Sequence, residues 1–190
     1  GEPIKLVDYL DDHREGWRNE ELAINDTPDW FKHTVNDLGR DVVTGINAAA
    51  VANPVNLISL ALLATPKHTM DLQQLRQQLQ LYITLLGEAP YSDTARLAET
   101  DAETIIEYGL EHEFLIRVAH PLGDVVTTDP KTALQMAYVR NNSLHLFVLP
   151  GLICSLFLNA RSIRMDMLQS MIALLYPFFR NEYLLHWRED

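Results

Sequence analysis

Leu72, Leu75, Leu79, Tyr82, Ile83 and Leu86 recur at steps of three and four, so they share one stripe of a helix; Gln73, Gln74, Gln77, Gln78 and Gln80 fill its polar face. The spacing predicts an amphipathic helix entered at Thr69 as N-cap, with Asp71 favourable in its first turn. Nearer the C-terminus, Met167, Met171, Leu174, Leu175, Phe178, Phe179 and Leu184 make a broader stripe and predict a helix over about 163–187, interrupted by Pro177. Two further helices are expected, one over about 30–65 and one over about 130–159. Proline removes an amide donor and clashes with the preceding turn, so the first should break near Pro54 and the second kink at Pro150. The small residues from Ala48 to Ala52 would allow close helix packing.

Shorter elements carry sharper signals. Thr100-Asp101-Ala102-Glu103 matches the reciprocal capping box and predicts a helix over about 101–112. Phe114 to Val118 and Val125 to Thr128 are β-branched runs around His120-Pro121-Leu122-Gly123-Asp124, which reads as a hairpin. Asp129-Pro130 then supplies an N-cap and a proline at the first helical position. Residues 87–99 form a loop around Pro90-Tyr91-Ser92. Residues 1–29 read as an arm: a short opening strand, then irregular chain with Trp17 and Trp30 as anchors and a loop at 25–29. Residues 30–190 form the helical domain. The fold class is mainly α, a helical domain with a small β-hairpin, and from 45 to 128 the order helix, turn, helix, loop, helix, hairpin is that of a winged helix.

Composition narrows the function. The 190 residues carry 15 Lys+Arg against 26 Asp+Glu, a net charge of -11, with only 8 glycines and 47% hydrophobic residues. Such a chain can bury a core and favours helices. Nucleic acid is excluded as a partner, because the third helix of the winged-helix order holds Asp101, Glu103, Glu107 and Glu111 and no Lys or Arg. The single cysteine, Cys154, permits no internal disulfide and reads as a small buried hydrophobe. Residues 42–66 lack formal charge, and so do 141–160 apart from His145; both are long enough to span a bilayer. Their asparagines and prolines instead predict core helices, since a buried amide needs a partner.

The search for chemistry is mostly negative. None of the seven histidines has metal-ligand spacing, and a His-x-x-x-x-Asp dyad is absent: His33 to Asp37, His120 to Asp124 and His186 to Asp190 are each one residue short. No catalytic residue, metal ligand or cofactor is assigned. The densest polar cluster in apolar surroundings runs from Tyr138 to His145, and Arg140, Asn141, Asn142 and His145 are the candidate site residues. Arg forks to two oxygens while Asn and His add donors, so this face could hold a phosphate or carboxylate; alternatively it is a buried network tying its helix to Asn47, Asn53 and Asn56. Either way the four side chains are expected to be largely buried. Met165, Met167, Met171 and Phe178-Phe179 read as core filler, or otherwise as a lipid-contacting face.

Several ordered stretches carry a resemblance: Gly1-Glu2-Pro3-Ile4, Asp8-Tyr9-Leu10, Trp17-Arg18, Thr34-Val35-Asn36, Ile46-Asn47, Asn53, Asn56-Leu57, Ala61-Leu62-Leu63-Ala64, Pro90-Tyr91-Ser92, the run from Arg140 to Pro150, and Leu175-Tyr176-Pro177. Together they resemble the carboxyl-terminal half of bacterial membrane-bound glycerol-3-phosphate acyltransferase, over nearly the whole chain. The resemblance implies transfer of a fatty acyl group from acyl-CoA or acyl carrier protein to the sn-1 hydroxyl of glycerol 3-phosphate. It also implies a place on the cytoplasmic face of the bacterial inner membrane, peripheral or monotopic, in contact with the membrane surface. That family's general base and phosphate-holding motif would lie upstream of Gly1, in an acyltransferase domain whose final strand Gly1-Glu2-Pro3-Ile4 resembles; no catalytic residue carries over. Two readings follow: a helical part closing over such a catalytic domain, or a stand-alone helical interaction module without enzyme activity.

Overall fold

In the computed structural model, which describes residues 3–13 and 27–187, the chain opens with α1 (Val7–Leu10) and a single 3-10 turn, followed by the long α2 (Asp29–Ala48). Next come β1 (Val51–Ala52), α3 (Pro54–Leu62), β2 (Thr69–Asp71), α4 (Leu72–Glu88), β3 (Arg96–Leu97) and α5 (Ala102–Glu111). The hairpin β4 (Ile116–Val118) and β5 (Val125–Thr127) leads into α6 (Pro130–Asn141), α7 (Val148–Leu156) and α8 (Met165–Tyr183). The mainly helical class with a small sheet is what the hydrophobic pattern predicts.

The core is built around α3. Every residue from Val55 to Leu62 is buried, as expected of a helix that is apolar on all sides. Asn53 starts it: its side-chain oxygen accepts from Asn56 N at 3.0 Å, while Asn56 Oδ1 accepts from Asn53 N at 3.0 Å, a reciprocal capping box followed by Pro54. Around α3 pack α4, α5 and α6. From α4 come Leu75, Leu79, Ile83 and Leu86, four of the six residues of the predicted stripe; α5 adds Ile105 and Ile106, and α6 adds Met136. Fully burying one such side chain contributes about 1.5–3 kcal/mol.

The winged-helix order is present. The elements α3, β2, α4, α5, β4 and β5 follow one another, and the three strands form an antiparallel sheet in the order β2-β5-β4. Thr69 pairs with Thr127 and Met70 with Val126, while Arg117 faces Val126 from the other side. At the hairpin tip Gly123 takes φ 127, open to glycine and strained for other residues, and Arg117 Nε donates to Asp124 Oδ2 at 2.6 Å.

The structure corrects several expectations. Thr69 is a strand residue; the N-cap of α4 is Asp71, which accepts from Gln73 N and Gln74 N. The cap of α5 is likewise Asp101 and not Thr100, with Glu103 turned outward to Arg76. The run from Ala48 to Ala52 ends one helix and enters a parallel pair, Val51 with Arg96 and Ala52 with Leu97. The helix from 130 breaks at Asn142 and Ser143, well before Pro150. Pro150 lies in the first turn of α7, where amides have no intrahelical acceptor and a missing donor costs nothing.

Pro3 to Lys5 form no strand, and Val7–Leu10 is helical; Gly1, Glu2 and Trp17 lie outside the described residues. Cys154 is exposed. The core-filler reading of α8 fails for Met165, Met167 and Phe178, which are exposed, Phe178 by 72%, and holds for Phe179, which packs against the core; Met171 is half-buried. No helix among the described residues is long and apolar enough to cross a membrane.

Candidate functional site

The four candidate residues sit where α6 ends and the chain turns toward α7. Asn142 caps α6, and Ser143 Oγ donates to the Arg140 carbonyl at 3.0 Å, closing the last turn. A single 3-10 turn, Leu144–Leu146, then carries His145 inward. Consecutive helical residues point about 100° apart, so the cluster divides by direction. His145 is buried at 4% exposure, Arg140 is half-buried, and Asn141 and Asn142 are exposed. The expectation that all four are largely buried therefore holds for His145, holds in part for Arg140 and fails for Asn141 and Asn142.

Asn141, Asn142 and His145 line a groove of about 770 Å³ together with Asn47, Asn53 and Asn56. This brings together the two asparagine sets that the sequence offered as network partners. The ties run through backbone carbonyls. Asn56 Nδ2 donates to the Val139 carbonyl at 3.0 Å, joining α3 to α6. His145 Nε2 donates to the Asn47 carbonyl at 3.1 Å, and Asn47 Nδ2 donates to the Tyr183 carbonyl at 2.9 Å, joining the end of α2 to the end of α8. The groove is thus walled by α2, α3, α6 and α8, with a carboxamide-rich lining, suited to hydroxyl and carbonyl groups, to which Glu182 adds a carboxylate.

His145 is held neutral. Burial lowers its pKa below the ordinary imidazole value; the Asn47 hydrogen bond opposes that shift and neighbouring His186 reinforces it. His186 is lowered by its own burial, with Asp93 opposing. Between the two imidazoles stands Tyr91, a residue to which sequence reasoning gave no structural role. Its ring meets His145, His186 and Trp187 edge-on at centroid distances of 5.0, 4.6 and 4.8 Å. Its hydroxyl accepts from His186 N at 3.2 Å, and burial raises the phenol's pKa.

Arg140 points elsewhere. Its Nη2 reaches Asn141 Oδ1 at 3.3 Å, but its side chain lines a second groove with Lys67, His68 and Thr128. Neither of the two shorter-spaced dyads within the described residues lies in a groove with the candidate residues. His33 and Asp37 are an exposed pair 3.7 Å apart on α2. His120 Nδ1 accepts from Leu122 N while Asp124 pairs with Arg117. Asp190 lies outside the described residues.

Across all 190 residues the sequence matches the family described as glycerol-3-phosphate acyltransferase C-terminal region. It is 39% identical to a glycerol-3-phosphate acyltransferase of Pseudomonas entomophila strain L48 over the whole of this chain, which is 23% of that protein. It is 38% identical, with the same coverage, to glycerol-3-phosphate acyltransferases of Pseudomonas fluorescens strain SBW25 and Pseudomonas aeruginosa strain LESB58. The chain thus spans about a quarter of the length of these relatives. No solved structure matches it.

Proposed function

The chain belongs to the family of the glycerol-3-phosphate acyltransferase C-terminal region, and from that premise we propose that it is a non-catalytic helical part of such an enzyme. The reaction would transfer a fatty acyl group from acyl-CoA or acyl carrier protein to the sn-1 hydroxyl of glycerol 3-phosphate. Its general base and phosphate-holding groups would come from an acyltransferase domain of the same longer chain. A non-catalytic role is supported by the residues: no histidine here stands in a His-x-x-x-x-Asp relation, His145 is tied to the Asn47 carbonyl, and both His145 and His186 pack against the Tyr91 ring.

The observation that carries the reading is an uncovered pair of apolar helix faces. On α2, Phe31, Val35, Val42 and Ile46 fall at steps of four, seven and four, on one side of the helix, and all four are exposed. On α8, Met167, Leu174 and Phe178 repeat the pattern. Contiguous exposed apolar surface marks a site that another protein surface or a membrane covers. We assign the α2 face to the acyltransferase domain and the α8 face, with Leu158, to the cytoplasmic surface of the bacterial inner membrane, as a peripheral or monotopic contact.

Two measurements test this. The 190-residue segment alone should acylate glycerol 3-phosphate no faster than a protein-free control, and clear turnover by it would overturn the non-catalytic role. In the full-length enzyme, Leu174→Glu with Phe178→Glu should reduce recovery with floated phospholipid vesicles. Unchanged recovery would remove the membrane assignment of α8.

A further inference from the structure

The groove that Arg140 faces has a different chemistry from the carboxamide groove. It holds about 550 Å³ and is lined at its polar positions by Lys67, His68, Thr128 and Arg140, with no carboxylate among the described lining residues. That is unusual in a chain with 26 acidic and 15 basic residues. Five buried side-chain atoms among the described residues have no hydrogen-bond partner, and three of them belong to this groove's residues: His68 Nδ1, Thr128 Oγ1 and Arg140 Nε. Thr128 is only 8% exposed. Buried polar groups are ordinarily satisfied, so three orphans among the residues of one basic groove single it out among the described residues.

The rest of the groove is apolar. Pro130, Ala133, Leu134 and Ala137 recur at steps of three, one and three along one face of α6, and Arg140 follows near the helix end, about 15 Å from Pro130 along the axis. Leu63, at the end of α3, adds to the apolar lining. Leu134 is 75% exposed, an apolar side chain with nothing over it. Lys67 and His68 both have left-handed backbone conformations, φ 56 and φ 51, where non-glycine residues are uncommon.

We propose that this groove binds a phosphate-bearing amphiphile with a single aliphatic chain. Arg140 offers its guanidinium fork and Lys67 a point charge to the phosphate oxygens. Thr128 Oγ1 and His68 Nδ1 lie beneath the groove as polar groups without partners, and the chain lies along Leu134, Ala137 and Leu63. The assignment is independent of the acyltransferase reading, because it rests on orphaned polar groups and lining chemistry alone.

The test uses full-length protein and decyl phosphate below its aggregation threshold, with decanol and inorganic phosphate as parallel probes, read by hydrogen–deuterium exchange. Decyl phosphate should slow exchange over residues 63–70 and 126–141. Its apparent affinity should fall roughly tenfold or more in Lys67→Gln and in Arg140→Gln, the loss expected for one charge-assisted contact. Lys67 is exposed, so Lys67→Gln should keep the wild-type melting temperature and stay informative if Arg140→Gln folds poorly. The proposal is overturned if decanol protects as well as decyl phosphate, if protection is absent, or if it survives undiminished in Lys67→Gln. Equal protection by inorganic phosphate would overturn the amphiphile in favour of a free-phosphate site.

Discussion

His145 Nε2 lies 3.1 Å from the carbonyl oxygen of Asn47, a hydrogen bond between residues 98 positions apart. A carbonyl only accepts, so Nε2 carries the proton and the ring is held in one tautomer. The same asparagine's side chain reaches the Tyr183 carbonyl, so one residue at the end of α2 gathers the turn after α6 and the end of α8.

Replacing His145 with alanine removes this donor, leaves the Asn47 carbonyl short of its partner and opens space beside Tyr91. Such a loss costs about 1–3 kcal/mol. The expected result is a lower denaturant midpoint at unchanged slope; an unchanged midpoint would mean that the tie contributes nothing.

Stability should fall on the acid side. His145 and His186 both have lowered pKa values in the folded chain, chiefly through burial. The unfolded chain then binds more protons than the folded one at mildly acid pH, so stability rises with pH there. The contribution is fully present above the ordinary imidazole value of 6.5 and is lost as pH falls through the lowered folded values. Thermal melting across this range should show the decline, and His145→Gln should make it shallower.

Asn53→Ala breaks the capping box that starts α3: Asn56 N loses its side-chain acceptor, while the backbone N–H of residue 53 can still donate to Asn56 Oδ1. A loss of about 0.5–2 kcal/mol is expected. Asn53→Asp, which keeps the acceptor, should lose less than Asn53→Ala in the same unfolding measurement.

Two glycine-to-alanine changes should differ in sign. A Cβ at Gly109 would lie 2.7 Å from Ile58 Cδ1 and 2.8 Å from Leu115 Cδ1, both in the core, whereas one at Gly39 on α2 meets nothing within 4 Å. Overpacking costs about 1–3 kcal/mol, more than the ~1 kcal/mol that alanine returns to a helix. Gly109→Ala should therefore lower the melting temperature and Gly39→Ala raise it.

The winged-helix order could be read from sequence because its elements carry local signals: the stripe from Leu75 to Leu86, the capping pattern from Thr100 to Glu103, the turn at Gly123. What escaped was non-local or very short. The pairing of Val51 with Arg96 joins two-residue strands, too brief for alternation to register. The break at Asn142 depends on Ser143 turning back onto the Arg140 carbonyl, which no proline or glycine announces. Periodicity identifies an apolar stripe but not its cover, so the exposure of Met167 and Phe178 could not be foreseen. The polar run from Arg140 to His145 was found as a cluster, but its division between two grooves follows from helical rotation and the turn at 144–146.

The ties around Tyr91 also order events in time. The winged-helix elements lie within residues 54–127, whereas the His186 amide reaches Tyr91 across 95 residues and Asn47 reaches Tyr183 across 136. Contacts of such separation close large loops and slow a folding reaction that local contacts alone would complete quickly. On a ribosome the helices and hairpin can therefore assemble before residues 184–187 are made, with the phenol of Tyr91 uncovered until they arrive to shut it in.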